Sequence, residues 1–192
     1  MLKSEIRILG FDDGAFQRTD DQVLVIGVIF RGGKFLDGAL RTEVEVDGND
    51  ATDKIVKLIN STRHKQQLKI IMFDGITLGG FNIVDIKKIH RETRIPVLVI
   101  NRKHPDIRKV REALNIFENH KERWQMIKNA GKIKRFKVRD SKDIFYQAAG
   151  ISDELAREVI SLSTTRSYIP EPLRVAHLIA TAIVKGESYG RA

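Results

Sequence analysis

The chain contains no cysteine, which excludes disulfides and every thiolate-based metal or redox site and fits a reducing cytoplasm. It has no run approaching the roughly 18 uninterrupted apolar residues of a membrane span. Its start, Met1-Leu2-Lys3-Ser4-Glu5-Ile6-Arg7, meets a core-like strand without an apolar stretch of signal-peptide length. There is no internal repeat, low-complexity tract or dividing linker, no Walker lysine and no complete dinucleotide fingerprint. His64, His90, His104 and His120 lack the partner spacing of a zinc site and read as surface residues. With 192 residues and 42% hydrophobic content, the chain is expected to form one compact domain over residues 1–192 with a full core and no need of staples. A cytoplasmic protein with no membrane partner is expected.

Charge is concentrated. The total is +9, and the segment from Arg102 to Arg139 holds thirteen Lys and Arg against four acids, a net +9, leaving the remainder near neutral. A localised basic segment points to an anionic partner, with nucleic acid ahead of membrane because no strongly amphipathic anchor is present. A solvated helical surface is the alternative.

The periodicity changes along the chain. Residues 5–12 and 22–30 read as apolar strands, and Arg31-Gly32-Gly33-Lys34 predicts a hairpin into a third strand over about 35–46. A helical period follows Asp47-Gly48-Asn49-Asp50, with Ile55, Val56, Leu58 and Ile59 on one face. Residues 68–73 predict a buried strand, 82–92 a helix and 95–100 another buried strand, the alternation of parallel crossover units. Helices are expected over about 105–118, 119–130 and 152–162, with a short edge strand at 132–138. A last helix should begin near Pro172, a favoured first-turn residue, and run to about Lys185, followed by a frayed tail over 186–192. The fold class is α/β, with a mixed five-stranded sheet of three antiparallel strands then parallel crossover units, flanked by helices.

Two aspartates, Asp12 and Asp74, stand where an apolar strand ends in a glycine turn, in Ile8-Leu9-Gly10-Phe11-Asp12 and Ile71-Met72-Phe73-Asp74-Gly75. In α/β proteins ligands gather outside the carboxyl ends of strands. If the two strands are neighbours, these side chains start about 5 Å apart, close enough to share one divalent ion. Carboxylates are hard oxygen ligands suited to Mg²⁺ or Mn²⁺. The alternative for each is a turn role, since Asp before Gly bonds nearby backbone donors. Asp13 should point to the opposite face. Asp50 and Asp53 also fit an N-cap and a first-turn acid.

On the last helix, Val175, Leu178, Ile179, Ala182 and Ile183 read as the apolar face, and Arg174, His177 and Thr181 as a polar stripe that could line a cleft. Gly75, Gly79 and Gly80 belong to a turn between a strand and a helix start, where backbone donors can receive a phosphate. The plainer reading is a turn that lets the helix pack closely.

The order of three antiparallel strands, helix, strand, helix, strand is that of the ribonuclease H-like fold, and the residues resemble endonuclease V within it. Gly10-Phe11-Asp12 resembles the strand end with that family's first catalytic aspartate, and Ile71-Met72-Phe73-Asp74-Gly75 its second. Ile95-Pro96-Val97-Leu98-Val99-Ile100-Asn101-Arg102-Lys103 is similar to its Ile-Pro strand leading to a basic residue, and Ile169-Pro170-Glu171-Pro172-Leu173-Arg174-Val175-Ala176-His177 to its Pro-x-Pro-x-Arg-x-Ala-His stretch. The nearest kin expected are the uncharacterised archaeal proteins grouped beside endonuclease V.

The resemblance implies a metal-dependent nuclease scaffold that uses Mg²⁺ or Mn²⁺. Asp12 and Asp74 would be ligands, and His177 would assist the metal or orient the attacking water. Arg102, Lys103 and Arg174 are the cations expected to hold nucleic acid. The family's Phe-Arg-Glu motif is missing, and its nearest positional equivalent is Asp53 as third ligand, with Asp50 as rival. The Pro-Tyr-Ile-Pro wedge and the lesion-reading segment are also unmatched, so deaminated-base cleavage is not implied. The other open readings are a non-catalytic nucleotide or nucleic-acid binding module and a protein-interaction scaffold.

Overall fold

The computed structural model describes residues 3–138 and 142–188. It opens with the expected antiparallel meander of β1 (Arg7–Asp13), β2 (Gln22–Arg31) and β3 (Phe35–Glu45). Helix α1 (Ala51–Ser61) leads to β4 (Leu68–Asp74), which runs parallel to β1 with Phe11 opposite Phe73. A small hairpin, β5 (Thr77–Leu78) and β6 (Asn82–Ile83), precedes α2 (Ile86–Thr93) and β7 (Val97–Asn101), the latter parallel to β4. Helices α3 (Ile107–Leu114) and α4 (His120–Asn129) are followed by the antiparallel pair β8 (Lys134–Val138) and β9 (Lys142–Ala149), then by α5 (Asp153–Ser163) and α6 (Glu171–Lys185).

The main sheet has seven strands in the order β3-β2-β1-β4-β7-β9-β8, not five. The difference is β9, which pairs antiparallel with β7 and carries β8 outward as the edge. The helix expected over 82–92 begins only at Ile86, because the Asp85 carboxylate accepts the N–H groups of Lys87 and Lys88 and so sets the cap there. The tail expected to fray lies outside the described residues at 189–192, as does Arg139, the end of the basic segment. Among the described residues no helix is long and apolar enough to cross a membrane.

Strand alternation sorts the core into two layers. Leu9, Phe11, Ile71 and Phe73 face α1 and α2, with Phe11 and Phe73 stacked at 5.3 Å between ring centroids. Ile8, Ile70 and Met72 face the opposite layer with Ile160 and Leu173. Because side chains alternate along a strand, Asp12 and Asp74, each one residue beyond these phenylalanines, project on the α6 side.

Helix α6 lies unusually close to β1. A methyl group added at Gly10 would sit 2.5 Å from Cβ of Pro172, so only glycine admits the helix at this depth. The buried stripe of α6 is Leu173, Ala176 and Ala180, whereas Ile183 is 60% exposed. The apolar face read from the sequence is thus rotated. Ala176 and Ala180 sit at the closest approach to the sheet, with Val175 and Ile179 packed at the margin against Ile26, Val28 and Phe30 of β2.

Candidate metal centre and nucleic-acid cleft

Asp12 and Asp74 emerge from the neighbouring strands β1 and β4, each one residue beyond the Phe11–Phe73 pair that ends their register. Both line an open cleft of about 520 Å³ together with Asp13, Arg102, His177 and Thr181. His177 and Thr181, one turn apart on α6, bring the polar stripe over the two carboxylates. His177 Nδ1 lies 2.8 Å from Asp12 Oδ2, and the Asp12 Oδ1 accepts the Asp13 N–H at 2.9 Å. Arg102, just past β7, donates from Nη2 to Asp74 Oδ2 at 3.0 Å. Asp12 is 5% exposed.

The cleft sets three carboxylates, Asp12, Asp13 and Asp74, against Arg102, His177 and Lys185. Burial, then the Asp12 charge, raises the pKa of Asp74 despite Arg102 beside it. The hydrogen bond to Asp12 raises the pKa of His177, so its imidazolium persists to higher pH than usual. Burial first and Asp12 second push Asp13 up to about 6. Two largely buried carboxylates that repel each other are suited to a divalent cation, which relieves the repulsion. Among the described residues no group of three or more His, Asp or Glu forms a metal-holding array. An ion bound by Asp12 and Asp74 would complete its shell with water and phosphate oxygens, as Mg²⁺ commonly does.

Asp13 yields a stability prediction. Its folded pKa near 6 lies above the usual 3.8, so the native state holds this proton more tightly than the unfolded chain does. Its contribution favours folding at low pH and is lost as pH rises from about 4 through about 6. In chelator, Asp13→Asn, which keeps an acceptor for the Gly79 N–H, should exceed wild type in urea-unfolding stability by on the order of 2 kcal/mol at pH 8 and by much less at pH 4.

The remaining expected site residues are distributed elsewhere. Asp53 is not in the cleft; its exposed carboxylate pairs with Lys88 at 2.5 Å. Asp50 is held by the Glu45 N–H, the Asn82 amide and Lys54. Arg174 is bonded twice to buried Glu171 and faces a different cavity. Lys103 follows Arg102 along the rim of adjoining cavities.

The glycine turn does not lead into a helix and does not offer the expected open donors. Gly79, at φ 57°, lies at the β5–β6 hairpin, and its N–H is taken by the Asp13 carboxylate at 2.6 Å. The Phe81 N–H is bound by Asp47, whose Oδ1 would be 2.3 Å from a methyl group at Gly80. The Gly75 N–H bonds the Ile100 carbonyl. The protein's own carboxylates thus occupy the turn where a phosphate was expected.

Arg123 corrects the charge map. Although it belongs to the basic segment, it is only 3% exposed and donates to the carbonyls of Phe81 and Asp47 and to Asn119. It is an internal clamp. Asp13, expected to point away from Asp12, lines the same cleft while its carboxylate reaches Gly79, and Lys142 and Tyr168 in the adjoining cavity were not singled out by sequence reasoning. Lys142 opens β9 and Tyr168 lies in the loop before α6, so long-range pairing and packing bring them together.

These features define an α/β protein of the ribonuclease H-like fold. More narrowly, the chain belongs to the Endonuclease dU family, whose model matches residues 4–184. It is 50% identical over 193 residues to a UPF0215 protein of Methanothermobacter thermautotrophicus, across 100% of this chain and 94% of that one. A crystal structure of a protein of unknown function from Archaeoglobus fulgidus is similar with TM-score 0.85 and 39% identity, over 94% of this chain and 99% of that one. Ciona intestinalis endonuclease V, in complex with DNA containing an inosine followed by a ribo-adenosine, shares the fold with TM-score 0.60 and 14% identity, over 90% of this chain and 83% of that one.

Proposed function

We propose that this protein is a divalent-metal-dependent endonuclease of the cytoplasm, acting as one domain, that cuts a DNA strand at or beside deoxyuridine. The observation that carries the reading is the pairing of Asp12 and Asp74 at adjacent strand ends, one bonded to His177 and the other to Arg102. The family's name, Endonuclease dU, supports a deoxyuridine substrate that the sequence motifs alone did not imply, and the fold likeness to a DNA-bound endonuclease V supports a nucleic-acid partner.

Asp12 and Asp74 would hold Mg²⁺ or Mn²⁺, which when bound stabilises charge on the phosphoryl oxygens and lowers the pKa of water. His177 orients Asp12 and carries a proton at the cleft, a group placed for general acid–base work. Arg102 steadies Asp74 and, lining the cleft, would offer its guanidinium to a backbone phosphate. Lys103 extends the positive rim along the strand.

A binding module without hydrolysis is the second reading, favoured by His177 and Arg102 each occupying an oxygen of the paired aspartates. The deciding assay uses an end-labelled duplex with one deoxyuridine beside an unmodified control, in Mg²⁺ and in chelator. Site-specific cleavage in Mg²⁺ alone is expected. Binding with no cleavage in any divalent metal favours the second reading, and cleavage equal in chelator contradicts the metal role.

A further inference from the structure

Next to the aspartate cleft is a second cavity of about 340 Å³, bounded by the end of β7, the start of β9 and the loop before α6. Arg102 lines both cavities, so one guanidinium joins them and a strand crossing the first can continue into the second. The volume lies within the range of about 300–1,000 Å³ typical of small-ligand sites. Lys103 and Lys142 add positive charge to its rim, and Tyr168, 41% exposed, contributes an aromatic face. The Lys142 ammonium lies 4.2 Å from the centre of that ring.

Asp143 also lines the cavity, its Oδ2 bonded to Arg135. The exposed Tyr168 ring is a surface that receives a base rather than a phosphate.

Resting on the proposed nuclease reading, we infer that this cavity holds one unpaired nucleotide of the substrate strand next to the scissile phosphate. Tyr168 stacks on the base, and Lys142 leaves the ring for the adjoining phosphate. Stacking on one aromatic and contact with one phosphate are the recurring elements of single-strand recognition. The site therefore favours a strand whose base has left the duplex.

The test is fluorescence anisotropy of a labelled single-stranded DNA oligonucleotide in chelator, over a series of salt concentrations, with variants whose thermal unfolding matches wild type. Tyr168→Ala should weaken binding by roughly five- to a hundredfold, the effect of losing one stacked base, and Tyr168→Phe should restore it. Lys142→Gln should reduce the slope of log affinity against log salt by about 0.7, one single-strand phosphate contact. Wild-type binding that both variants reproduce in affinity and slope would overturn the nucleotide site while leaving the nuclease reading intact. No binding of single-stranded or deoxyuridine duplex DNA by wild type would overturn both.

Discussion

Asp74→Asn is expected to lower metal-dependent cleavage by about a thousandfold or more, equivalent to about 4 kcal/mol of transition-state stabilisation, without unfolding the protein. The amide preserves shape and an acceptor for Arg102, but it removes one of the two negative charges that would hold the ion. The folded state should not suffer, because Asp74 sits where burial and Asp12 already disfavour its charge. Removing a carboxylate with a raised pKa lifts a destabilising term, so the variant should unfold at an equal or higher urea concentration than wild type. Single-turnover cleavage and urea unfolding on the same preparations separate the two effects. Activity within tenfold of wild type would remove Asp74 from the chemistry, whereas lost activity accompanied by lost stability would assign it to the scaffold.

The second large effect is one of stability and falls far from the aspartates. Arg123→Met is expected to destabilise the protein by roughly 2–5 kcal/mol, since two carbonyl acceptors, on Asp47 and Phe81, lose their donor and each such loss costs about 1–3 kcal/mol. The Arg123 guanidinium also lies 4.2 Å from the Phe117 ring centre, a contact methionine only partly replaces. Because Arg123 holds the β5–β6 hairpin through the Phe81 carbonyl, and that hairpin holds Asp13 through Gly79, the variant should also loosen the strand end that carries Asp12. Urea unfolding at neutral pH tests this directly. A change below about 0.5 kcal/mol, the usual size for a surface substitution, would mean the clamp contributes nothing.

The parts of the fold that could be read in the sequence were those controlled by local period. Phe11 and Phe73 belong to apolar runs of alternating faces, so the aspartates that follow them were placed on strand ends before any pairing was known. The structure adds that these strands are neighbours in register. His177 was legible for a similar reason, its spacing from Thr181 putting both on one side of a helix. What could not be read was settled by distant groups. The glycine turn became a hairpin because the Asp13 and Asp47 carboxylates, 66 and 34 residues from their partners, took its N–H groups. Asp53 was drawn away by Lys88 on another helix, and Arg123 was turned inward by carbonyls on two loops. Strand β9 alternates well enough, with Ile144 and Tyr146 inward, but its position between β7 and β8 is a long-range pairing that composition does not encode.

The central claim, that Asp12 and Asp74 together hold a divalent ion, is tested most directly by calorimetric titration with Mn²⁺ at pH 7.5 of wild type and of the Asp12→Asn, Asp74→Asn double variant. Wild type is expected to bind one ion per chain, more weakly as pH falls toward the range where Asp74 takes up its proton, and the variant none. Equal binding by the two proteins would place the ion elsewhere and contradict it.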